Sequence, residues 1–362
     1  MREQKSRDPV PRTEQDLLDL ALAFKGSRAL LTACELDVFS AIGDEAVGAA
    51  EVADRVGADP SGTERLLHAL CALGVLEKGE AGFSNSPVAR RHLVEGGPER
   101  VSLVYVAHKW DNWSLLTEAV RRGHPTVAKP FQDPPAVWLR ALGARVGRFL
   151  DRVWAVLTRS DRWLRAFIDY MRDHARMRAA AVTDLLDLSG VSRVLDVGGG
   201  PAVYALAFAR AREGLSVTVF DRPEVVPTTR RNVEAAGLSD RIDAVAGDFR
   251  ADDLGRDYDL VFISEATHAI SGSENRDLVR RGAAALRPGG RLVVQDFILE
   301  DDRTGPSFAA LFSLEMMMTT RSGGTYTRSE VRDWMTAAGL TDVEVMETGM
   351  DTTLMIGHRP TG

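Results

Sequence analysis

The spacing of apolar residues changes near residue 180. Before it, apolar positions recur at the three-to-four interval of helices with one buried face, and the pattern predicts helices over Asp16–Phe24, Ala29–Ile42, Ala49–Gly57 and Ser61–Leu73. The last two are separated by the turn Ala58-Asp59-Pro60, and Gly74–Lys78 and Gly82–Ser86 supply two short strands, the order of a winged helix. Beyond it, apolar runs at Val194–Val197, Leu215–Phe220, Ile242–Ala246, Leu260–Ser264 and Arg291–Phe297 alternate with helical stretches, as in a parallel sheet covered on both faces. Val343–Glu347 and Thr352–Gly357 follow with a short turn between them, so the last strand is expected to return antiparallel. The predicted fold class is α/β: a doubly wound, mostly parallel, Rossmann-like sheet of seven strands, with an N-terminal α-helical winged-helix domain. The expected divisions are 1–100, a helical linker region over 101–179, and 180–362.

The linker region carries an insertion over 134–158. Trp138, Leu142, Phe149, Val153 and Leu157 follow helical spacing, while Arg140, Arg148 and Arg152 fall on another face. The reading is an amphipathic helix docked between domains. Sharper readings are a lid over the substrate entrance, or a basic surface for a lipid, an acidic partner or a carrier-linked substrate.

Composition narrows the function. Of 362 residues, 52 are acidic and 45 basic, and the formal charge of −7 argues against bulk nucleic-acid binding, which needs a basic face. The helix Ser61–Leu73 bears only Glu64, Arg65 and His68 among its apolar residues, too little positive charge to read DNA. A small-molecule partner is expected. Cys34 and Cys71 have no metal-ligand spacing, so no metal is expected, and the charged start Met1–Thr13 is unlike a leader. These features predict a reduced, cytoplasmic protein without a transmembrane segment.

The chemistry gathers at Val191–Pro201, where an apolar run ends in Asp196 and the glycines Gly198, Gly199 and Gly200. A strand turning through glycine into a helix lets backbone amides approach a ligand, and the helix N-terminus adds partial positive charge. A carboxylate directly before the turn would repel a pyrophosphate, so a cationic nucleotide-like cofactor fits better. Val203 stands where a dinucleotide fingerprint needs its third glycine, which disfavours a nicotinamide-dependent dehydrogenase. Asp221 closes the next apolar run, 25 residues after Asp196, where it can accept ribose hydroxyls.

Asp196-Val-Gly-Gly-Gly resembles the first motif of S-adenosylmethionine-dependent methyltransferases. The O-methyltransferase branch of plant caffeate-type, bacterial polyketide and hydroxyindole-type enzymes is similar from about Leu17 to Gly357, apart from about Pro125–Arg162. Its further motifs are Phe220–Val225, Ala246–Phe249, Tyr258–Ser264, His268, Leu286–Gly290 and Gln295–Phe297. The resemblance implies S-adenosyl-L-methionine as cofactor, S-adenosyl-L-homocysteine as product, and a homodimer formed by the N-terminal domain. It implies cofactor binding by Asp196, Gly198, Gly200, Asp221, Asp248, Phe249 and Ser264. His268 matches the family's general base and Asp296 an acid that orients it. The plant-type Asp-Trp after that histidine is Ala269-Ile270 here, and Tyr326 stands at the second bracketing acid, so Tyr326 is a further catalytic candidate. Trp113, Phe167, Met171, Phe312 and Met316 are the expected substrate-pocket walls.

The expected activity is methyl transfer to a hydroxyl of an aromatic or polyketide-like small molecule. The altered surroundings of His268 leave open N- or C-methylation, or a non-methylating decarboxylation or hydroxylation, on the same fold and cofactor. A cofactor-binding winged-helix regulator is the reading from a different class.

Overall fold

The computed structural model describes residues 10–96, 99–126, 175–176 and 178–361. The insertion 134–158, Phe167 and Met171 lie outside the described residues. The chain divides into two compact units, whose described parts are 10–111 and 112–361.

The first unit is helical with a small wing. Helix Glu14–Leu22 opens with a capping box, the Thr13 hydroxyl accepting from the Asp16 amide while the Asp16 carboxylate accepts from the Thr13 amide. None of its residues is buried, and Leu17, Leu18, Leu20 and Leu22 are exposed. The helix expected over Ala29–Ile42 is in fact two, Phe24–Glu35 and Val38–Ile42. Asp37 breaks it by adopting a left-handed backbone, φ 57°, with its carboxylate accepting from the Ser40 hydroxyl at 2.6 Å. Ala49–Val56 ends on Gly57, and Pro60–Ala72 starts from Asp59, whose side chain accepts from the Gly62 amide. Strands β1 (Leu76–Gly79) and β2 (Gly82–Asn85) pair antiparallel, and Phe39, Ile42, Leu67, Leu70, Leu76 and Phe83 fill the core beneath them.

The second unit is built on seven strands: β3 (Arg193–Val197), β4 (Ser216–Asp221), β5 (Ile242–Ala246), β6 (Tyr258–Ser264), β7 (Leu286–Asp296), β8 (Thr341–Glu347) and β9 (Thr353–His358). Their order is β5-β4-β3-β6-β7-β9-β8. All neighbouring pairs from β5 to β7 are parallel, and β9 runs antiparallel between β7 and β8. Side chains of β6 alternate between two cores: Leu260 and Phe262 join Phe208 and Leu215 on one face, and Val261 and Ile263 join Ile270 and Trp334 on the other. A strand covered on both faces has no polar side, which is why these runs read as continuous apolar stretches. Chain order reverses between β3 and β6, and a crevice opens beyond the carboxyl ends of such strands. Asp196, Asp221, Ser264 and Asp296 all stand at that edge.

Candidate active site

The turn after β3 is held in a shape that only glycine tolerates well. Gly198 and Gly200 have φ of 72° and 51°, and Ala202, at φ 67°, leads into helix Val203–Ala211. The Gly198 amide donates to the Phe220 carbonyl at 2.8 Å and the Gly200 amide to the Asp221 carboxylate at 2.8 Å, so the turn is tied to the end of β4. The other oxygen of Asp221 accepts from the Arg222 amide at 2.7 Å. Burial raises the Asp221 pKa, and these two amides pull against that rise.

Asp196 lies beneath the turn. It is 0 % exposed, and neither carboxylate oxygen accepts a hydrogen bond among the described residues. Burial, and then the nearby Asp221 charge, push its pKa up to about 7, and the Ala205 amide, which lies outside hydrogen-bonding geometry, pulls only weakly the other way. Gly199 is what makes room for it, since a Cβ there would run into the Asp196 carboxylate and come within 2.9 Å of Val219. The G-x-G spacing singles out the outer two glycines and passes over this middle one. Phe249 packs beside Gly198, 3.9 Å from where a Cβ would stand, while Asp248 is exposed and turns one oxygen to the Arg250 amide at 2.9 Å. Ser264 donates to Gln295 Oε1 at 2.9 Å, and the Gln295 amide donates to the Tyr204 hydroxyl and Thr352 Oγ1.

Across the edge, a short 3-10 turn, Thr267–Ala269, presents His268. Its Nδ1 lies 2.8 Å from Asp296 Oδ1, and its backbone amide donates to Asp296 Oδ2 at 3.1 Å. Asp296 is 2 % exposed and also accepts from the Thr267 hydroxyl and the Phe297 amide. Burial alone would raise its pKa, but His268, Thr267 and the Phe297 amide together hold it below the usual carboxylate value. Thr267 and Phe297 carry no sequence signal for this role beyond their adjacency to His268 and Asp296.

Tyr326 is joined to the same turn through its backbone neighbour. Its hydroxyl donates to the Ile270 carbonyl and its ring meets Trp334 edge-on at 4.8 Å, while burial pushes its pKa up to about 12. Phe312, on helix Ser307–Thr319, meets the His268 ring edge-on at 4.9 Å and packs on Phe297 at 4.6 Å, with Phe308 at 5.0 Å from Phe297. Met316 is buried in that helix, and Trp113 ends helix Val104–Trp113 half-buried. Arg178 binds Glu265 at 2.9 Å with both side chains largely buried, and the guanidinium lies over the Phe297 ring. Glu265 adopts a left-handed φ of 49°.

The family model of the O-methyltransferase domain matches residues 113–341, and that of the O-methyltransferase dimerisation domain matches 18–95. The chain belongs to the O-methyltransferase family. It is an S-adenosylmethionine-dependent methyltransferase. It is 34% identical to a 3-hydroxy-5-methyl-1-naphthoate 3-O-methyltransferase of Streptomyces sahachiroi, over 91% of this chain and 90% of the relative. It is 32% identical to the tetracenomycin polyketide synthesis 8-O-methyl transferase of Streptomyces glaucescens, over 95% and 96%. Human N-acetylserotonin methyltransferase, solved in complex with S-adenosylmethionine, superimposes with a TM-score of 0.81 at 26% identity, covering 98% of this O-methyltransferase and 99% of the human chain. Among the described residues, no helix of this O-methyltransferase is long and apolar enough to cross a membrane.

Proposed function

We propose that this O-methyltransferase methylates an acidic hydroxyl on an aromatic, polyketide-like small molecule, with His268 as general base and Asp296 as the group that orients it. The observation that carries this reading is the 2.8 Å contact between His268 Nδ1 and Asp296 Oδ1. With Nδ1 holding its hydrogen for the carboxylate, the basic lone pair lies on Nε2, and the same carboxylate stabilises the imidazolium once the proton arrives. A phenol near pKa 10 and a histidine near 6.5 differ by about 3.5 units, so full proton transfer before attack would cost roughly 5 kcal/mol. The proton is therefore taken as the new bond forms, and a hydroxyl acidified by its ring narrows the gap. The Phe308 and Phe312 rings, packed on the buried Phe297 next to His268, offer flat apolar surfaces to an aromatic acceptor, and the two Streptomyces relatives are named for polyketide and naphthoate substrates.

When bound, S-adenosylmethionine supplies a methyl group activated by its sulfonium charge. The residues fit that cofactor: Asp196 keeps a buried carboxylate without a hydrogen-bond partner among the described residues below a glycine turn, where a cationic ligand would lower the cost of its charge. Asp221 would accept the ribose hydroxyls, Phe249 would pack against the base beside Gly198, and Asp248 would accept from the exocyclic amine. Ser264 acts through Gln295 to steady the edge of the sheet. The exposed leucines of Glu14–Leu22 and the dimerisation-domain match support a homodimer. Light scattering at micromolar concentration should report twice the chain mass; a monomer sinks the dimer.

The deciding experiment pairs calorimetry with turnover. S-adenosylmethionine should bind the wild type and lose affinity in Asp221→Ala. A panel of hydroxylated aromatics should each gain one methylene in mass and release S-adenosylhomocysteine, with His268→Ala slowed by about 10²-fold or more at unchanged cofactor affinity. Full turnover in His268→Ala would remove the base, and a product without the added methylene would favour the non-methylating reading.

A further inference from the structure

Helix Gly272–Ala285 buries a polar side chain that packing does not require. Asn275 is 0 % exposed, and its amide nitrogen donates to the Thr267 carbonyl at 2.9 Å and the Ile270 carbonyl at 3.4 Å. Its own carbonyl, Oδ1, is buried without a partner among the described residues. A half-satisfied amide in an apolar interior is unfavourable, and a leucine of similar size would fill the space without that penalty. What the amide does is hold a turn, because Thr267 and Ile270 bracket His268.

Other groups hold the same turn. The Tyr326 hydroxyl donates to the Ile270 carbonyl, and the Gly324 amide donates to the His268 carbonyl at 3.0 Å. Gly323 lies so close that a Cβ there would run into the His268 carbonyl. The Thr267 hydroxyl and the His268 amide donate to Asp296. Carbonyls at 267, 268 and 270 are thus fixed by groups other than the acid, while the acid fixes the turn's donors.

We infer that Asn275 and Tyr326 are positioning residues that hold the Thr267–Ile270 turn against Asp296, so that the His268 imidazole meets the acceptor hydroxyl in one orientation. The inference rests on His268 as general base. Asn275 acts through two carbonyls and Tyr326 through one, so neither touches the reacting atoms, and loss of either should misplace the imidazole rather than abolish it. Small errors of placement are expensive in rate, with about 1 Å worth as much as about 10²-fold.

A mutant cycle tests this. In the full chain, Asn275→Leu should lower kcat about tenfold and Tyr326→Phe about threefold, with KM for cofactor and acceptor within about twofold. In a His268→Gln background, where there is no imidazole left to position, the same substitutions should change the residual rate by less than about twofold. Equal losses in both backgrounds would mean that the two residues only support the fold, and overturn the inference. So would an unchanged kcat in the single variants. If Asn275→Leu does not fold, Tyr326→Phe decides alone, since it removes one hydroxyl and keeps the ring on Trp334. A wild-type rate in His268→Gln would overturn the base reading itself, an outcome separable from failure of the cycle.

Discussion

Asp196 and Asp296 stand two strands apart at the same edge of the sheet, and both are hidden, at 0 % and 2 % exposure. Asp296 accepts from the Thr267 hydroxyl, the His268 amide, the Phe297 amide and the His268 ring, and its pKa is held low. Among the described residues, Asp196 accepts from no group in hydrogen-bonding geometry, and its pKa rises to about 7. Burial is common to both, so neighbouring charge, His268 beside Asp296 and Asp221 near Asp196, together with the donors decides which carboxylate carries charge near neutrality. A carboxylate surrounded by donors serves a neighbour inside the protein. One left without donors is a reservoir of unfavourable energy, and it makes sense where a cationic ligand is to be bound above it.

The largest effect should come from making Asp296 resemble Asp196. Asp296→Asn keeps the shape but removes the charge that stabilises an imidazolium, and kcat should fall by about 10²–10⁴-fold while cofactor affinity stays near wild type. Steady-state kinetics with a saturating acceptor measure it, and a loss of less than about threefold would detach Asp296 from the chemistry. The pKa of Asp296 lies below its unfolded value. Its stabilising contribution is therefore present above about pH 4 and lost as pH falls through the folded pKa.

The opposite sign applies to Asp196. Its folded pKa, about 7, lies above the ordinary aspartate value of 3.8, so the folded state resists ionisation and loses stability as pH rises between those values. The penalty is imposed in full above the folded pKa and is absent below the unfolded one. Asp196→Asn should accordingly gain stability relative to wild type at pH 8 and not at pH 4, and should bind S-adenosylmethionine more weakly. Urea unfolding at the two pH values checks the first part and calorimetry the second. Parallel pH dependence in both proteins would show that Asp196 is not the strained group.

Much of this contrast was legible in the sequence, and the rest was hidden for definite reasons. The strands were visible because residues such as Leu260–Ile263 are covered on both faces and form unbroken apolar runs. Asp196, Asp221, His268 and Asp296 stand out in the sequence because each follows such a run, where an open sheet places its binding crevice. The break at Asp37 was missed because one residue's left-handed backbone interrupts a helix without disturbing its apolar spacing. Asn275 was invisible because it lies within an ordinary polar helix start, and its meaning depends on the Thr267 and Ile270 carbonyls beside it. Tyr326 stands out in the sequence as a catalytic candidate, and its hydroxyl donates to the Ile270 carbonyl 56 residues away in sequence. Contacts of that range leave no local periodicity to read.

The smallest of these effects concerns the space around each aspartate. Gly199 has no positive φ requirement, so Gly199→Ala isolates sterics: the new methyl meets the Asp196 carboxylate and Val219, and either the turn lifts or the carboxylate moves. Overpacking of this kind costs about 1–3 kcal/mol. Gly324, beside the His268 carbonyl, has nothing within 4 Å of its would-be Cβ, and Gly324→Ala should change stability by no more than about 0.5 kcal/mol. Because, of the two aspartates, the collision is with the one that lacks donors, Gly199→Ala should also weaken cofactor binding, whereas Gly324→Ala should leave it intact. Melting temperature and cofactor affinity measured on both variants test the pair. If Gly199→Ala melts and binds like wild type, the turn is looser than its contacts imply. Asp196 could then escape burial by moving, and the contrast with Asp296 would be one of mobility rather than of donors.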